Sequence, residues 1–378
     1  MRVPLVDLAR EHESIRGELR DAFDQVIDSG TYVLGPHLED FERNVARYHG
    51  VRYAVGVNSC TDALFLALKA LGIKKGDEVL VPATTFVATA NVVIYCGATP
   101  VFVEVEPDTL NIDPGMISRS ITKATKAIIV VHFHGHPSDM EPILNIAKRH
   151  ELAVVEDCAQ AFGAEYSSRK VGSLSTVGCL SFYPTKHLGA LGDGGMVITN
   201  DEGIYEEVCS LRNYGETRKY TYEKIGYNTR LDELQAAMLN VKIKYIDGWI
   251  RKRRALAGRY KDLLKGTVVK VPIEKAYAKH VYWVYSIKLP TKTSRDRVQE
   301  YLAQRDIQTH IFYPVSVPNQ EAYRFITPRA NQFLVSRHAA DRMLALPLFP
   351  ELTDEEQEYV VKILLEAIKE CERGDSNY

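Results

Sequence analysis

No stretch of this 378-residue chain is apolar for long enough to cross a bilayer, and the N-terminus, Met-Arg-Val-Pro-Leu-Val-Asp, carries no apolar leader. The expectation is a cytoplasmic protein with no membrane partner. The six cysteines, at 60, 96, 158, 179, 209 and 371, are scattered and form no Cys-x-x-Cys pair. That spacing argues against a disulfide frame and against a zinc site. Charge of one sign is also lacking. With 47 basic and 49 acidic residues the net charge is −2, too little to gather nucleic acid or anionic lipid. The one dense basic run, Arg251-Lys-Arg-Arg254, lies in a helical pattern where a solvated face explains it. No Gly-x-Gly-x-x-Gly follows the first predicted strand and no Gly-x-x-x-x-Gly-Lys-Ser/Thr occurs, so dinucleotide and P-loop readings have no support. Internal repeats and low-complexity segments are absent.

What is present is an ordinary enzyme composition, 46% hydrophobic and 25% charged, on a chain long enough for two domains. Ile15, Leu19, Ala22, Phe23, Val26 and Ile27 recur at helical spacing, which predicts one helix from Glu11 to Ser29; a second should cover 36–48. Short apolar strands over 53–57, 78–81, 99–103, 127–131 and 152–156 alternate with helices over 63–71, 89–96 and 140–150. That alternation implies an α/β layer with a largely parallel sheet buried on both faces. Ligands of such sheets bind beyond the carboxyl ends of the strands. A long amphipathic pattern over 231–264, interrupted at Gly248 and Gly258, reads as the join to a smaller domain. That domain should hold a strand over 281–289 and helices over 294–305 and 353–370, with a disordered tail from Gly374. The boundary is placed between a large domain, 1–245, and a small one, 246–378.

Chemistry concentrates between Cys179 and Thr199. An apolar strand ends at Ser181-Phe182-Tyr183, Pro184 stops it, and Lys186 follows on a loop that carries Gly189, Gly192, Gly194 and Gly195. A lysine among apolar and glycine residues loses hydration, which favours its free amine as a nucleophile toward a carbonyl; a solvated loop lysine is the bland alternative. Asp157 follows the strand Leu-Ala-Val-Val-Glu, where a half-buried carboxylate either seeks a cation or caps the next helix. Ser59, Thr61 and Asp62 open a helix just after a strand, so N–H groups and hydroxyls gather there as an anion cup or as plain caps. His132, His134 and His136 alternate at another strand end, which raises a metal site; no acidic or cysteine ligand is evident beside them.

Taken together the chain resembles the DegT/DnrJ family of pyridoxal-phosphate-dependent nucleotide-sugar aminotransferases. The marks are Asn-Ser-Cys-Thr-Asp-Ala-Leu (58–64), Glu-Asp-Cys-Ala-Gln (156–160), Ser-Phe-Tyr-Pro-Thr-Lys (181–186), Gly-Asp-Gly-Gly (192–195), Arg-Asn-Tyr-Gly (212–215) and Gly-Tyr-Asn-Thr-Arg-Leu-Asp-Glu-Leu-Gln-Ala-Ala (226–237). The resemblance implies the aspartate-aminotransferase-type fold, fold type I: a mixed, mostly parallel central sheet between helices, with a smaller C-terminal α+β domain. It also implies a homodimer with shared active sites. Lys186 would hold pyridoxal phosphate as a Schiff base and shuttle a proton while the pyridoxamine form appears in turnover; Asp157 would keep the pyridine nitrogen protonated. Phe86 would stack on the ring and Gln160 would reach its phenolic oxygen. The phosphate would lie on Ser59, Cys60, Thr61 and Ser181, with Asn228 from the other subunit. Tyr183, His187, Tyr214, His310, Phe312 and Tyr313 are the substrate-side candidates, and no metal is implied.

Within the family the motifs are similar to the branch that moves an amino group from L-glutamate to C3 of dTDP-linked 3-keto-6-deoxyhexoses. Related members act on 4-keto sugars or UDP-3-keto uronates. Cys60 stands where glycine is common and His187 where asparagine is usual. Phe312 and Pro318 stand where the branch has histidines, which predicts a less polar substrate wall and relaxed epimer preference. The rivals of other classes are a cofactor-binding regulatory protein without turnover, which the intact Lys186 and Asp157 oppose, and a metal hydrolase built on the three histidines.

Overall fold

The computed structural model describes residues 1–327 and 332–375. Helices α1 (Leu8–Glu13), α2 (Arg16–Ser29) and α3 (Pro36–His49) precede strand β1 (Tyr53–Val57). Alternation follows through α4 (Cys60–Ala70), β2 (Glu78–Pro82), α5 (Ala88–Tyr95), β3 (Thr99–Val103), α6 (Pro114–Ser120), β4 (Thr125–Val131), α7 (Met140–Arg149) and β5 (Ala153–Asp157). The short strands β6 (Glu165–Tyr166) and β7 (Arg169–Lys170) lead to β8 (Val177–Ser181) and β9 (Gly195–Thr199). Helix α8 (Glu202–Arg212) and the hairpin β10 (Glu216–Arg218) and β11 (Thr221–Tyr222) come next, then α9 (Glu233–Lys242) and α10 (Ile246–Leu263). The rest comprises β12 (Ala278–Lys279), β13 (Tyr285–Lys288), α11 (Lys292–Ala303), α12 (Leu334–Arg342), β14 (Met343–Leu346) and α13 (Asp354–Asp375).

Seven strands form one mixed sheet in the order β1-β9-β8-β5-β4-β2-β3. Neighbours from β8 to β3 pair in parallel, and β9 runs antiparallel to both β8 and β1. Side chains alternate across the sheet, so each strand feeds two cores. Leu180, Met196 and Ile198 pack with Leu38 and Phe41 of α3 and Leu239 of α9, whereas Val55, Cys179 and Val197 face Leu64 and Leu68 of α4. Both faces are thereby closed, and the strand ends are the open places. A further core joins Leu256 and Tyr260 of α10 to β13, β14 and α13, and it includes Val3 from the N-terminus. Val3 pairs with Ile307, its N–H donating to Asp306 O at 2.9 Å. No helix among the described residues is long and apolar enough to cross a membrane.

Several local expectations are corrected. The helix read as continuous from Glu11 to Ser29 divides at Ser14–Ile15, where Ile15 leaves helical geometry. Glu11 is buried on α1, and Leu19, Ala22 and Val26 are buried on α2. The break in the 231–264 pattern falls at Ile243–Tyr245, and both Gly248 and Gly258 lie inside α10. The strand read over 281–289 is confined to Tyr285–Lys288, because the preceding backbone bonds elsewhere: Val281 N–H to Gly135 O at 3.1 Å and Trp283 N–H to His134 O at 2.9 Å. The tail read as disordered from Gly374 is helical through Asp375, and its last three residues lie outside the described residues.

Helix α3 begins at Gly35 with no side-chain cap of its own. Its orphan N–H groups are met by Glu233 of α9, fully buried, whose Oε1 accepts from Gly35 at 2.8 Å and Leu38 at 2.9 Å and whose Oε2 accepts from His37 at 3.0 Å. A carboxylate on the positive end of a helix is doubly favoured, by hydrogen bonds and by the dipole. Glu233→Ala strands three donors in the interior and is expected to cost about 3 kcal/mol. Urea unfolding measures it; an unchanged midpoint would show that the clamp contributes nothing to the fold.

Candidate active site

Asp157 ends β5 as a buried carboxylate. Its Oδ2 accepts the Thr89 hydroxyl at 2.9 Å, which lies 2.8 Å from the Thr85 hydroxyl, and its Oδ1 accepts the Ala159 N–H at 3.1 Å. Burial raises its pKa above the usual carboxylate value, and those donors together with the charges of Lys186 and His132 oppose the rise. Thr89 is a contact that sequence reasoning missed. A threonine in the first turn of an otherwise apolar helix was the available signal.

Lys186 sits on the loop between β8 and β9, its N–H donating to Tyr183 O at 2.8 Å. Burial of the amine lowers its pKa to about 8, with Cys60 and Asp157 pulling upward. The ammonium lies 3.7 Å from the centroid of the Trp283 ring, and the Trp283 indole N–H donates to Thr185 O at 3.0 Å. A desolvated cation on an indole face is worth about 2 kcal/mol. Trp283 comes from nearly a hundred residues away, and no local pattern marks it. Beneath the loop, the fully buried Lys242 donates to Gly189 O at 2.6 Å and to His12 at 2.9 Å, with Glu11 at 3.6 Å. His12 is held down at about 4 by burial and by Lys242, so it is neutral and accepts. Gly189 itself must be glycine, because a Cβ there would meet Pro184 O at 2.2 Å.

At the end of β1, Ser59 caps α4, accepting the Asp62 N–H at 3.0 Å and donating to the Asp62 carboxylate at 2.6 Å. The hydroxyl is thus committed to the cap in this conformation. Anion-binding capacity rests on the first-turn N–H groups of Cys60 and Thr61, which have no intrahelical acceptor. Gly195 of β9 closes in from the side; a Cβ there would lie 2.3 Å from the Ser59 carbonyl carbon and 2.5 Å from Cys60 N. The Cys60 thiol is held neutral by burial, then by Asp157. Ser181 ends β8 buried, its Oγ accepting the Tyr183 N–H at 3.3 Å.

Phe86 is 51% exposed, its ring 5.7 Å from that of Tyr313, above the buried Thr84 and Thr85. Gln160 accepts the His134 N–H at 2.6 Å and donates to the Tyr313 hydroxyl at 3.2 Å, so its amide is engaged on both sides. Asn228 is exposed, beside Thr229, whose carbonyl accepts the Asn58 N–H at 3.1 Å. The set suits a flat cofactor with a phosphate: a buried acceptor for a ring N–H, a lysine of lowered pKa, free helix N–H groups and an uncovered aromatic face.

The substrate-side candidates divide. Tyr183, Tyr214 and His310 are exposed, and Tyr313 is half-buried at the Gln160 amide. His187 is a correction: it is buried, with Nε2 3.0 Å from Val281 O, and points into the protein rather than toward a ligand. The turn at Tyr183–Lys186 sends consecutive side chains in different directions. Phe312 packs on Trp283 with centroids 4.9 Å apart, and Pro318 is buried in a 3-10 turn whose Val317 N–H donates to Ala83 O at 3.1 Å. Pro318 therefore forms no part of an open wall. The three histidines bond separately: His132 to Glu156 at 3.0 Å, His134 with its Nε2 buried and unpartnered, and His136 to Pro137 O at 2.7 Å. His132, Glu156 and Cys158 do cluster. The Glu156 oxygens already accept from His132, Gly172, Leu174 and Ser175, and these bonds outweigh burial to hold the carboxyl low.

A mixed sheet of this order, with a lysine of lowered pKa and a buried carboxylate at its strand ends, suits a site that works on a carbonyl group through a lysine amine. The chain belongs to the DegT/DnrJ/EryC1/StrS aminotransferase family, whose model matches residues 13–365. It is 42% identical to a pleiotropic regulatory protein of Geobacillus stearothermophilus, over 97% of this chain and 98% of that one. It is also 42% identical to the dTDP-3-amino-3,4,6-trideoxy-α-D-glucose transaminase of Streptomyces venezuelae, over 93% and 92%. The crystal structure of S. venezuelae DesV in complex with a ketimine intermediate superposes with a TM-score of 0.94 at 41% identity, covering 97% and 98%.

A lysine near 8 when folded and at its usual 10.5 when unfolded binds fewer protons folded than unfolded between those values. Stability of the cofactor-free protein should therefore rise with pH across that window. Lys186→Met removes the burden, so its stability advantage over wild type should be largest below pH 8 and shrink toward pH 10.5. Thermal unfolding from pH 7 to 10.5 measures the gap. A gap independent of pH would mean that Lys186 is not desolvated.

Proposed function

We propose that the chain is a pyridoxal-phosphate-dependent aminotransferase that moves an amino group from L-glutamate to C3 of a dTDP-linked 3-keto-6-deoxyhexose. It works in the cytoplasm as a homodimer with shared sites, each subunit having a large domain, 1–245, and a small one, 246–378. The observation that carries the reading is the pairing of a buried Asp157 with a Lys186 lowered to about 8 at the carboxyl edge of one sheet. Pyridoxal phosphate, when bound, supplies the electron sink that stabilises charge developing on the reacting carbon. Asp157, anchored by Thr89 and Ala159, would keep a proton on the cofactor's ring nitrogen. Lys186, a minor fraction of whose amine is free near neutral pH, would hold the cofactor through its carbonyl carbon and would take and return a proton at its Nζ. The Trp283 face receives that amine in its charged form. The Cys60 and Thr61 N–H groups would hold the phosphate, and Phe86 would cover one ring face. The dTDP group and amination at C3 rest on the kinship with the S. venezuelae transaminase, and the 6-deoxyhexose on a dTDP-3-amino-3,6-dideoxy-α-D-galactopyranose transaminase of Aneurinibacillus thermoaerophilus, 42% identical over 95% of this chain and 98% of that one.

The test loads the enzyme with glutamate and adds in turn dTDP-3-keto-6-deoxyglucose, its galacto epimer, the dTDP-4-keto isomer and a UDP-3-keto uronate. Return of the aldehyde-form absorbance with a 3-keto-6-deoxy sugar is expected. Preference for the 4-keto sugar or the uronate overturns the substrate, and no turnover with any of them favours a regulatory protein. Lys186→Ala should lose transamination altogether. Asp157→Asn should slow it about a thousandfold, which is about 4 kcal/mol of barrier.

Sharing of sites is tested by mixing. Asn228 is exposed in the single chain, close to where the phosphate cup opens. Dimers mixed from Lys186→Ala and Asn228→Ala subunits should regain one intact site and a fraction of wild-type rate. Absence of any recovery, with both parents dimeric, would assign Asn228 to its own subunit or to none.

A further inference from the structure

A cavity of about 830 Å³ lies between the 107–110 segment, the outward face of β13 and helix α12. Its size is that of a small-molecule site. None of Lys186, Asp157, Phe86 or Tyr313 lines it, so it is separate from the strand-end site and independent of the reading proposed for that site. Its charge is one-sided. Lys270, Lys288 and Arg342 line it against a single carboxylate, Asp108, which Lys275 already pairs at 3.6 Å. That excess of cations stands in a chain whose net charge is −2.

Lys288 is half-buried and donates to Pro107 O at 2.6 Å, which leaves two of its three N–H donors without a protein acceptor among the described residues. Arg342 is exposed at the cavity mouth, and its guanidinium has no side-chain or backbone partner among the described residues. Ser286, 8% exposed on the same strand face, has a hydroxyl with no hydrogen-bond partner among the described residues. Burial lowers Lys288 to about 8, Asp108 opposing and Lys270 adding to the fall. Crowded, underbonded cations are unfavourable until an anion joins them. Beside them Val284 and Met343 give an apolar floor.

We propose that this cavity binds a small phosphate-bearing molecule, its anionic end held by Lys288, Lys270 and Arg342 and its body resting on Val284 and Met343. A dianionic phosphate supplies acceptors for several N–H donors at once, which a single carboxylate does less well. His134 forms part of the wall and gives its backbone N–H to Gln160, so an occupant lies one residue from the strand-end site.

The experiment titrates the holoenzyme at low ionic strength, calorimetrically, with inorganic phosphate and separately with phenyl phosphate. Wild type, Lys288→Met and Arg342→Ala are compared, the exposed Arg342 being the variant that leaves packing untouched. At least one probe should bind, and both variants should weaken it about tenfold or more. Similar affinity for both probes would show that the phosphate alone is read; tighter binding of phenyl phosphate would add the apolar floor. Diffraction from crystals soaked in tungstate should place the anion beside Lys288. Binding that neither variant weakens puts the anion elsewhere, and no binding of either probe up to about 10 mM removes the site; either result overturns the proposal.

Discussion

Asp157 ends a strand buried on both faces, and a carboxylate in that position stays ionised only when donors and cations are brought to it. Much of the surrounding structure serves that requirement. Thr89 is aimed at it from α5 and carries Thr85 behind, Ala159 turns its N–H back, and Lys186 and His132 add positive field. The same carboxylate raises the pKa of Lys186 against the lowering by burial. Burial shifts both groups toward their neutral forms, and each opposes the other's shift.

The loop bearing Lys186 is fixed from below by charge as well as by packing. Lys242 is fully buried and holds the Gly189 carbonyl, and Glu11 of α1 stands near it. Burial raises Glu11 and lowers Lys242, and each opposes the other's shift. Arg253 of α10, also buried, acts on Glu11 and donates to Leu348 O at 2.9 Å. The short helix α1 thus brings one acid between two buried cations, one on each of the helices α9 and α10.

What could be read in the sequence follows the range of the interactions involved. The sheet was legible because each strand is a short β-branched run between helical patterns, and that is local. Lys186 and Asp157 were legible because they sit directly after such runs, where the chain leaves the sheet. Trp283, Lys242 and Glu233 were not, since each meets its partner across about fifty to two hundred residues and only the fold supplies the meeting. His187 misled because neighbours in sequence share a site only in extended or regular backbone, and the turn after Tyr183 is neither. Glycine was an uneven guide as well: Gly189 and Gly195 are forced by contact with backbone, whereas Gly258 lies inside a helix with open space beside it.

Phe312 shows how a departure from a family pattern changes meaning once its neighbours are known. Read alone, an apolar residue in place of a histidine concerns the sugar. In the structure its ring lies 4.9 Å from Trp283, 6.4 Å from His134 and 4.5 Å from His310, and Trp283 in turn underlies the Lys186 ammonium. The indole face attracts the lysine only while it stays dry and fixed in orientation. Phe312 keeps it so from one side, and the indole N–H bonded to Thr185 O keeps it so from another. A titrating imidazole at 312 would bring water and a second ionisable ring against the indole on which the lysine's ammonium rests. The apolar residue therefore bears on the packing of the indole that carries the Lys186 ammonium as well as on the sugar.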